Sequence, residues 1–243
     1  MIKLNCDMGE SFGTWKMGLD EEIMPLVDMS NIACGFHASD PVTMNKTVKM
    51  AKNHRVTIGA HPAYPDLVGF GRRSLACSSE EIKDMLLYQI GALAGICKAN
   101  NTKVEYVKPH GALYNDMMRD SAIYETVLKT ISMYDKNLKL MILSSGKNEE
   151  YEKIANTYDI ELIYEVFADR AYMDDGALMP RSMPNSVLES SKDVLERLEY
   201  LIKNGAIKSH TGKVLELKAD CICVHGDNAH AVELVKTMRE YLN

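Results

Sequence analysis

Ionisable residues recur in short polar stretches that follow apolar runs of this sequence. Asp7 and Glu10, in the stretch CDMGE, place two carboxylates directly after the first apolar run. Such a pair can divide the roles of general base and electrostatic stabiliser when its two environments differ. An N-cap aspartate with a glutamate in the first helical turn would give the same pattern, so this pair alone leaves catalysis and capping equally open.

The stretch VKPHGALYN joins an apolar run directly to Lys108 and His110. A buried lysine or histidine costs stability unless it is paired or its pKa shifts, which indicates that both residues face a site. The last apolar run ends in a similar way, in VHGDN, and this makes His225 a further candidate.

Two more histidines, His37 and His61, follow apolar runs in ACGFHASD and GAHPAYPD. Cys34 and His37 could pair as nucleophile and base, but nearness in sequence does not establish that geometry, and we interpret Cys34 as structural. Asp40 directly precedes a proline, which predicts a helix cap rather than a catalyst.

Side chains that could bind a carboxylate or a phosphate lie in two further stretches. Arg72 and Arg73 close the run GAHPAYPDLVGFGRR and could form bidentate hydrogen bonds with an anion. A solvated surface pair is the alternative for these arginines. The stretch EVFADR supplies another base and another anion contact through Glu165, Asp169 and Arg170.

A divalent metal site is a competing interpretation of the same stretches. Asp7, His37 and His61 could form an aspartate–histidine–histidine site with open coordination positions. A histidine four residues before His61 would strengthen this interpretation, but this chain has Thr57 there.

Short apolar runs alternate with segments of helical periodicity, which predicts parallel strands joined by crossover helices. The predicted strands are Ile2 to Asn5, Met29 to Ala33, Thr57 to Ala60, Tyr106 to Lys108, Lys139 to Leu143, Glu161 to Glu165 and Cys221 to His225, with Lys213 to Leu217 as a weaker one. The predicted helices are Pro41 to Asn53, Ser79 to Ala99, Ala122 to Tyr134, Asn148 to Tyr158, Val187 to Lys203 and Ala229 to Tyr241.

Polar and ionisable residues follow at least five of the predicted strands. This favours a barrel, in which the strand ends share one face, over an open sheet. We expect a seven- or eight-stranded (β/α) barrel of the α/β class.

Composition and charge bound the class of protein. The 243 residues are 46% hydrophobic and 26% charged, as in an ordinary globular protein, and no linker divides them, so a single domain over residues 1–243 is the simplest account. The net charge of −6 argues against nucleic-acid binding and favours small-molecule ligands. With no basic segment and long apolar run at the start, we predict a cytoplasmic chain without a membrane anchor.

Six long motifs, read in order from Asn5 to Ala231, resemble those of the LamB/YcsF family. They are LNCDMGESFG, SNIACGFHASDP, IGAHPAYPDLVGFGRR, YVKPHGALYN, EVFADRAY and CVHGDNAHAV. Ser39 departs from the pattern, since the family motif is expected to have glycine there. The resemblance implies ATP-dependent opening of 5-oxoproline (pyroglutamate) to L-glutamate, with ADP and phosphate released. It also implies a complex with the B and C subunits of 5-oxoprolinase, and a barrel related to the glycoside hydrolase and deacetylase group.

The implied reaction gives roles to the candidate residues. A lactam is a poor electrophile, and ATP can activate it by phosphorylating the carbonyl oxygen, with Mg²⁺ accompanying the nucleotide. We expect Asp7 or Glu10 to position or deprotonate water, and Lys108 and His110 to stabilise the developing negative charge. The residues expected to contact substrate or phosphate are His37, His61, Arg72, Arg73, Glu165, Asp169, Arg170 and His225. Two alternatives to this activity stay open: a metal-dependent deacetylase-like hydrolase, and a non-catalytic chain that only binds substrate. The oligomeric state is a separate open question, and a homo-oligomer is compatible with the sequence.

Overall fold

The computed structural model describes residues 2–180, 183–188, 190–224 and 229–242. Its strands are β1 (Lys3–Met8), β2 (Met29–Ala33), β3 (Thr57–His61), β4 (Tyr106–Val107), β5 (Lys139–Leu143), β6 (Leu162–Phe167), β7 (Ala206–Lys208), β8 (Val214–Glu216) and β9 (Cys221–Val224). Seven of them form a closed barrel in the order β1-β2-β3-β4-β5-β6-β9, with every pairing parallel. The predicted α/β barrel is confirmed, with seven strands.

The helices follow the strands in the manner of βα repeats. They are α1 (Asp20–Ile23), α2 (Pro41–His54), α3 (Ser79–Ala99), α4 (Gly111–Met117), α5 (Ser121–Tyr134), α6 (Asn148–Asn156), α7 (Ser191–Asn204) and α8 (Ala229–Leu242), with a 3-10 turn at Met24–Leu26. No helix within the described ranges is long and apolar enough to cross a membrane.

Two helix starts show why local sequence signals predict elements here. The Asp40 carboxylate accepts hydrogen bonds from the backbone N–H groups of Val42 and Thr43, which confirms the predicted cap of α2. Ser78 and Glu81 form a reciprocal capping box at the start of α3. Such contacts satisfy backbone donors that a helix otherwise leaves unpaired.

The weaker predicted strand, Lys213 to Leu217, does not join the barrel. Its observed portion, β8, pairs antiparallel with β7 in a separate two-stranded sheet, and β7 was not predicted. The predicted helix from Val187 begins later, at Ser191, after a Ser190 cap.

Ser39 adopts a left-handed backbone conformation, with φ of 76°. Glycine occupies this region without the steric cost that a side chain brings, which is a physical reason for the glycine expected at this position of the family motif.

Polar side chains inside the barrel lie beneath the strand ends. The Tyr106 hydroxyl donates to Asn31 Oδ1 at 2.6 Å, and Asn31 Nδ2 donates to both Asn5 Oδ1 and Asp7 Oδ1 at 2.8 Å. Gly59 makes room for this arrangement, since a Cβ atom there would overlap the Tyr106 ring. The barrel interior thus fixes the direction in which Asp7 points.

Candidate active site

The carboxyl ends of the barrel strands surround a cavity of about 370 Å³. Parallel barrels gather functional groups at this end, and the size is at the lower end of the range for ligand pockets. Predicted site residues that line the cavity are Asp7, Glu10, His61, Arg72, Lys108, His110 and Arg170. A larger depression, about 1360 Å³, lies around Lys3, Thr57 and Lys139, where strands begin, and none of the predicted site residues that the structure describes lines it.

Lys108 is held between two carboxylates at the floor of the cavity. It is 3% exposed, and its Nζ lies 3.0 Å from Asp7 Oδ1 and 2.7 Å from Glu165 Oε1. Burial alone would lower the pKa of this lysine, but the neighbouring negative charges, Asp7 foremost, outweigh it and raise the pKa well above the usual value. Lys108 is therefore a cation at neutral pH.

Glu165 is fully buried and contacts the site through other side chains. Besides the ion pair with Lys108, its Oε2 accepts a hydrogen bond from the Tyr114 hydroxyl at 3.0 Å. Tyr114 itself lines the cavity. The structure therefore places Glu165 beneath the cavity surface as a partner of Lys108.

Three histidines pack together beside Asp7 and Glu10. The His61 and His110 rings are perpendicular, with His61 Nε2 3.0 Å from His110 Nδ1, whereas the His37 ring stacks on His110 with centroids 3.7 Å apart and planes at 5°. Burial, reinforced by the neighbouring histidines, lowers the pKa of His37 and His110 well below the usual value.

Two carboxylates, from Asp7 in β1 and Glu10 just after it, meet these rings. Glu10 Oε1 lies 3.1 Å from His37 Nε2 and 3.7 Å from His110 Nδ1, and Asp7 Oδ2 lies 3.3 Å from His61 Nε2. In the part of the chain that the structure describes, the ligand atoms of four side chains fall within 4.8 Å of one another: Glu10, His37, His61 and His110. This set differs from the predicted metal triad, because it includes His110 and Glu10 and leaves out Asp7, which pairs with Lys108.

The arginines differ in what they contact. Arg72 lines the cavity and lies over the Phe70 ring, 5.1 Å from its centroid. Arg170 also lines the cavity, but it donates to the backbone carbonyls of Met179 at 2.6 Å and Ser186 at 3.2 Å. Arg170 therefore holds the loop after β6 in place as well as facing the cavity.

Arg73 is not brought to the cavity. Its guanidinium forms an ion pair with Asp66. The Asp66 carboxylate also accepts a hydrogen bond from Gly69 N, and its backbone carbonyl accepts one from Gly71 N, which closes the loop. Hydrogen bonding to Arg73, the largest influence, lowers the pKa of Asp66 to about 2. The expected anion contact is thus occupied within the loop, and the arginine side chain is 64% exposed.

Asp169 is a further predicted residue that is not among those lining the cavity. Asp169 follows β6, and its backbone carbonyl accepts from Leu188 N at 2.7 Å. His225 lies outside the described residues, so its role stays a prediction. Cys34 is buried, and burial raises the pKa of its thiol to about 12, which agrees with the structural interpretation.

Sequence reasoning missed several residues of the site. Arg119 lines the cavity although it follows no strand and lies beyond the unpredicted helix α4. Asn5 and Asn31 did carry a signal, because an amide inside an apolar strand is costly unless it is hydrogen-bonded. Asn31 donates a hydrogen bond to Asp7, and Asn5 accepts one from Lys108, so the two amides help to orient these site residues.

Comparisons with known proteins cover the whole chain. The model of the LamB/YcsF family matches residues 2–243. The chain is 52% identical over 242 residues to the A subunit of 5-oxoprolinase from Vibrio cholerae serotype O1, covering 100% of this chain and 98% of that protein. It is also 52% identical to the second of the 5-oxoprolinase A subunits named in Pseudomonas putida, with 100% and 94% covered. The lactam utilization protein from Thermus thermophilus superposes with a TM-score of 0.91 at 39% identity, covering 99% of this chain and 95% of that one.

Proposed function

The chain belongs to the LamB/YcsF family, and we propose that it is the A subunit of an ATP-dependent 5-oxoprolinase, a hydrolase that opens 5-oxo-L-proline to L-glutamate. Relatives that match over the whole of this chain carry the name of that subunit, and the similar solved structure is named for lactam utilization. The word subunit supports assembly with other chains, which we propose to be the B and C subunits. We place the reaction in the cytoplasm, where ATP is available.

One observation carries this function: a small cavity with guanidinium groups in its wall has a lysine–aspartate pair at its floor. The substrate is a small ring with a carboxylate and a lactam carbonyl. Arg72 or Arg119 can bind the carboxylate by paired hydrogen bonds. The carbonyl then lies toward the floor, where Lys108 can stabilise negative charge on its oxygen.

Water must be activated on the same floor. Asp7 and Glu10 both line the cavity, and Asp7 keeps one oxygen on Lys108 while the other faces His61. A carboxylate held in this way can orient a water molecule and accept its proton. We assign that role to Asp7 or Glu10, as the sequence predicted.

ATP enters the reaction as a co-substrate. Transfer of its γ-phosphoryl group to the lactam oxygen activates the ring carbon, one water adds there as the C–N bond breaks and nitrogen gains a proton, and a second water releases phosphate. The 370 Å³ cavity suits the lactam, with Arg72 and Arg119 available to an incoming phosphate. We propose that the adenosine lies outside the cavity, with Mg²⁺ bound to the nucleotide's phosphates.

The test is glutamate formation from 5-oxoproline and ATP, by this chain alone and with the B and C subunits. We expect activity in the full mixture, and a loss of roughly 100-fold in kcat, about 3 kcal/mol of barrier, for Lys108→Ala and for His110→Ala. Lys52→Ala and His54→Ala, at exposed positions, are the matched controls. Full activity of both site variants would leave the chain with a binding role only, and an assembled complex that makes no glutamate would contradict the substrate.

A further inference from the structure

We propose that Glu10, His61 and His110 form a binding site for a divalent transition-metal ion, and that His37 is a positioning residue for Glu10. The site lies at the floor of the same cavity, so it rests on the proposed function for the reaction that it would serve. Its geometry can be argued without that reaction. The ligand atoms of these four side chains lie within 4.8 Å of one another.

Backbone carbonyls fix which nitrogen of each imidazole carries hydrogen. His61 Nδ1 lies 2.6 Å from the carbonyl oxygen of Lys108, and His110 Nε2 lies 2.9 Å from that of Phe70. A carbonyl oxygen can only accept, so these outer nitrogens are the donors. Histidines that bind metals are oriented in this way, by an outer N–H bonded to a carbonyl or carboxylate.

The inner nitrogens of His61 and His110 therefore carry no hydrogen, and their lone pairs face each other. His61 Nε2 and His110 Nδ1 are 3.0 Å apart, and two lone pairs at that distance repel unless a positive species lies between them or beside them. The carboxylate oxygens Glu10 Oε1 and Asp7 Oδ2 approach the same nitrogens at 3.7 and 3.3 Å. All of these atoms are acceptors, which is the arrangement that a cation stabilises.

The buried lysine of the cavity floor is already engaged elsewhere. Lys108 Nζ contacts Asp7 Oδ1, Glu165 Oε1 and Asn5 Oδ1, so its charge is engaged with these three oxygens and not with the histidine pair. Phe70 reaches His110 from a left-handed backbone conformation, with φ of 54°. A bulky residue seldom adopts that conformation, and here it aims a carbonyl at the outer nitrogen of His110.

His37 is geometrically unsuited to bind the same ion. Its ring is parallel to that of His110, and a ligand lone pair lies in the plane of its ring, so the two lone pairs run side by side instead of converging. His37 Nε2 lies 3.1 Å from Glu10 Oε1 and can donate to it. That tautomer leaves Nδ1, which has no partner among the described residues, as an acceptor rather than an unpaired donor.

Two imidazole nitrogens and one carboxylate oxygen define the chemical class of the ion. This donor set suits Zn²⁺, Co²⁺, Mn²⁺ or Fe²⁺ with positions left for water or substrate, whereas Mg²⁺ prefers oxygen ligands. The site is therefore distinct from the Mg²⁺ that accompanies ATP. When bound, such an ion would supply polarisation of a carbonyl or of water.

Binding is tested on the purified full chain after chelator treatment, by titration with Co²⁺ and Zn²⁺, using calorimetry and visible absorption. We expect one ion per chain and a Co²⁺ spectrum without thiolate bands. Affinity should fall at least 100-fold in Glu10→Gln and His110→Ala, and 10- to 100-fold in His37→Ala. His54→Ala should bind as the parent does, and the far-ultraviolet circular dichroism of each variant identifies any that fails to fold.

Three results would overturn the site: weak binding that His110→Ala and Glu10→Gln leave unchanged, Co²⁺ spectra with thiolate bands, or ¹⁵N chemical shifts showing a proton shared by His61 and His110 with no ion bound at millimolar Zn²⁺. The proposed function can fail separately. Tight binding of Co²⁺ or Zn²⁺ in a complex that forms no glutamate keeps the ion site and removes the function. Glutamate formation by a complex whose A chain binds neither ion at millimolar concentration does the reverse.

Discussion

At the scale of single residues, Lys108 compensates two carboxylates that would otherwise be buried with like charge. Removing one member of a buried ion pair leaves an uncompensated charge, which costs more than the intact pair contributes. Asp7 retains an Asn31 hydrogen bond, and Glu165 retains one from Tyr114. Neither contact replaces a full positive charge.

The substitution Lys108→Met should therefore lower the free energy of unfolding by about 3–5 kcal/mol. Combining it with Glu165→Gln should restore part of the loss, because Gln still accepts from Tyr114 but carries no charge. Urea denaturation measures both effects, with Lys52→Met as the exposed control. If the free energy of unfolding of Lys108→Met alone were within about 0.5 kcal/mol of that of the parent protein, Asp7 and Glu165 would not both be charged.

Asp20 gives the protein a distinct pH dependence. Burial raises the pKa of its carboxyl from 3.8 to about 6, against the lowering effect of the hydrogen bond from Gly9 N. Since the folded-state pKa is the higher one, the protonated form favours folding. Its stabilising contribution is complete below about pH 4 and is lost as the pH rises through about 6.

Asp20→Asn should remove this dependence while keeping an oxygen for Gly9. Relative to the variant, the parent should lose roughly 2 kcal/mol of unfolding free energy between pH 4 and pH 7, less than the full shift because the side chain is half-buried. Denaturation midpoints across that range provide the measurement. Parallel pH profiles for the two proteins would contradict the raised pKa.

At the scale of elements, the packing of β3 against β4 helps to orient the Asp7 side chain. Gly59 in β3 pairs with Tyr106 in β4, and the tyrosine ring occupies the space that a side chain at Gly59 would need. The Tyr106 hydroxyl then reaches Asn31 in β2. One missing Cβ atom thus connects three strands to the orientation of Asp7.

Gly59→Ala should destabilise the fold by about 3 kcal/mol, because overpacking forces the ring or the strand to move. Gly91→Ala is the matched control, since a Cβ in that part of α3 meets nothing within 4 Å and alanine favours helix by roughly 0.5–1 kcal/mol over glycine. Thermal and urea unfolding of both variants test the contrast. Equal effects at the two glycines would mean that the barrel interior adjusts freely.

The elements that sequence patterns predicted best are those with local causes. β2, β5 and α3 have the predicted bounds, because an apolar run defines each strand and a capping box defines the start of the helix. Helix α4 was missed since its start depends on a contact distant in sequence, in which Ala112 N donates to Gly71 O at 2.8 Å. Among site residues, Arg119 and the Arg73–Asp66 pair were unpredictable for the same reason: periodicity does not reveal which arginine a loop will turn inward.

At the scale of the whole molecule, the two ends of the barrel serve different purposes. The predicted site residues that line a cavity do so where strands end, and the larger depression lies where strands begin. In parallel barrels the end at which strands finish holds the catalytic residues, and the end at which strands begin contributes mainly to stability. A substitution such as Lys103→Ala, in the depression where strands begin, should therefore leave glutamate formation unchanged and is a suitable control for the activity assay.

Closure of the barrel by β9 has a consequence during synthesis. β1 pairs with β9, and Asn5 contacts Cys221 across 216 residues of sequence. Until residues 221–224 have left the ribosome, β1 and β6 both present unpaired strand edges, which are templates for association with other chains. Between the synthesis of β6 and that of β9 the nascent protein thus has two unpaired strand edges, and chaperone protection is needed most in this interval, just before its last helix emerges.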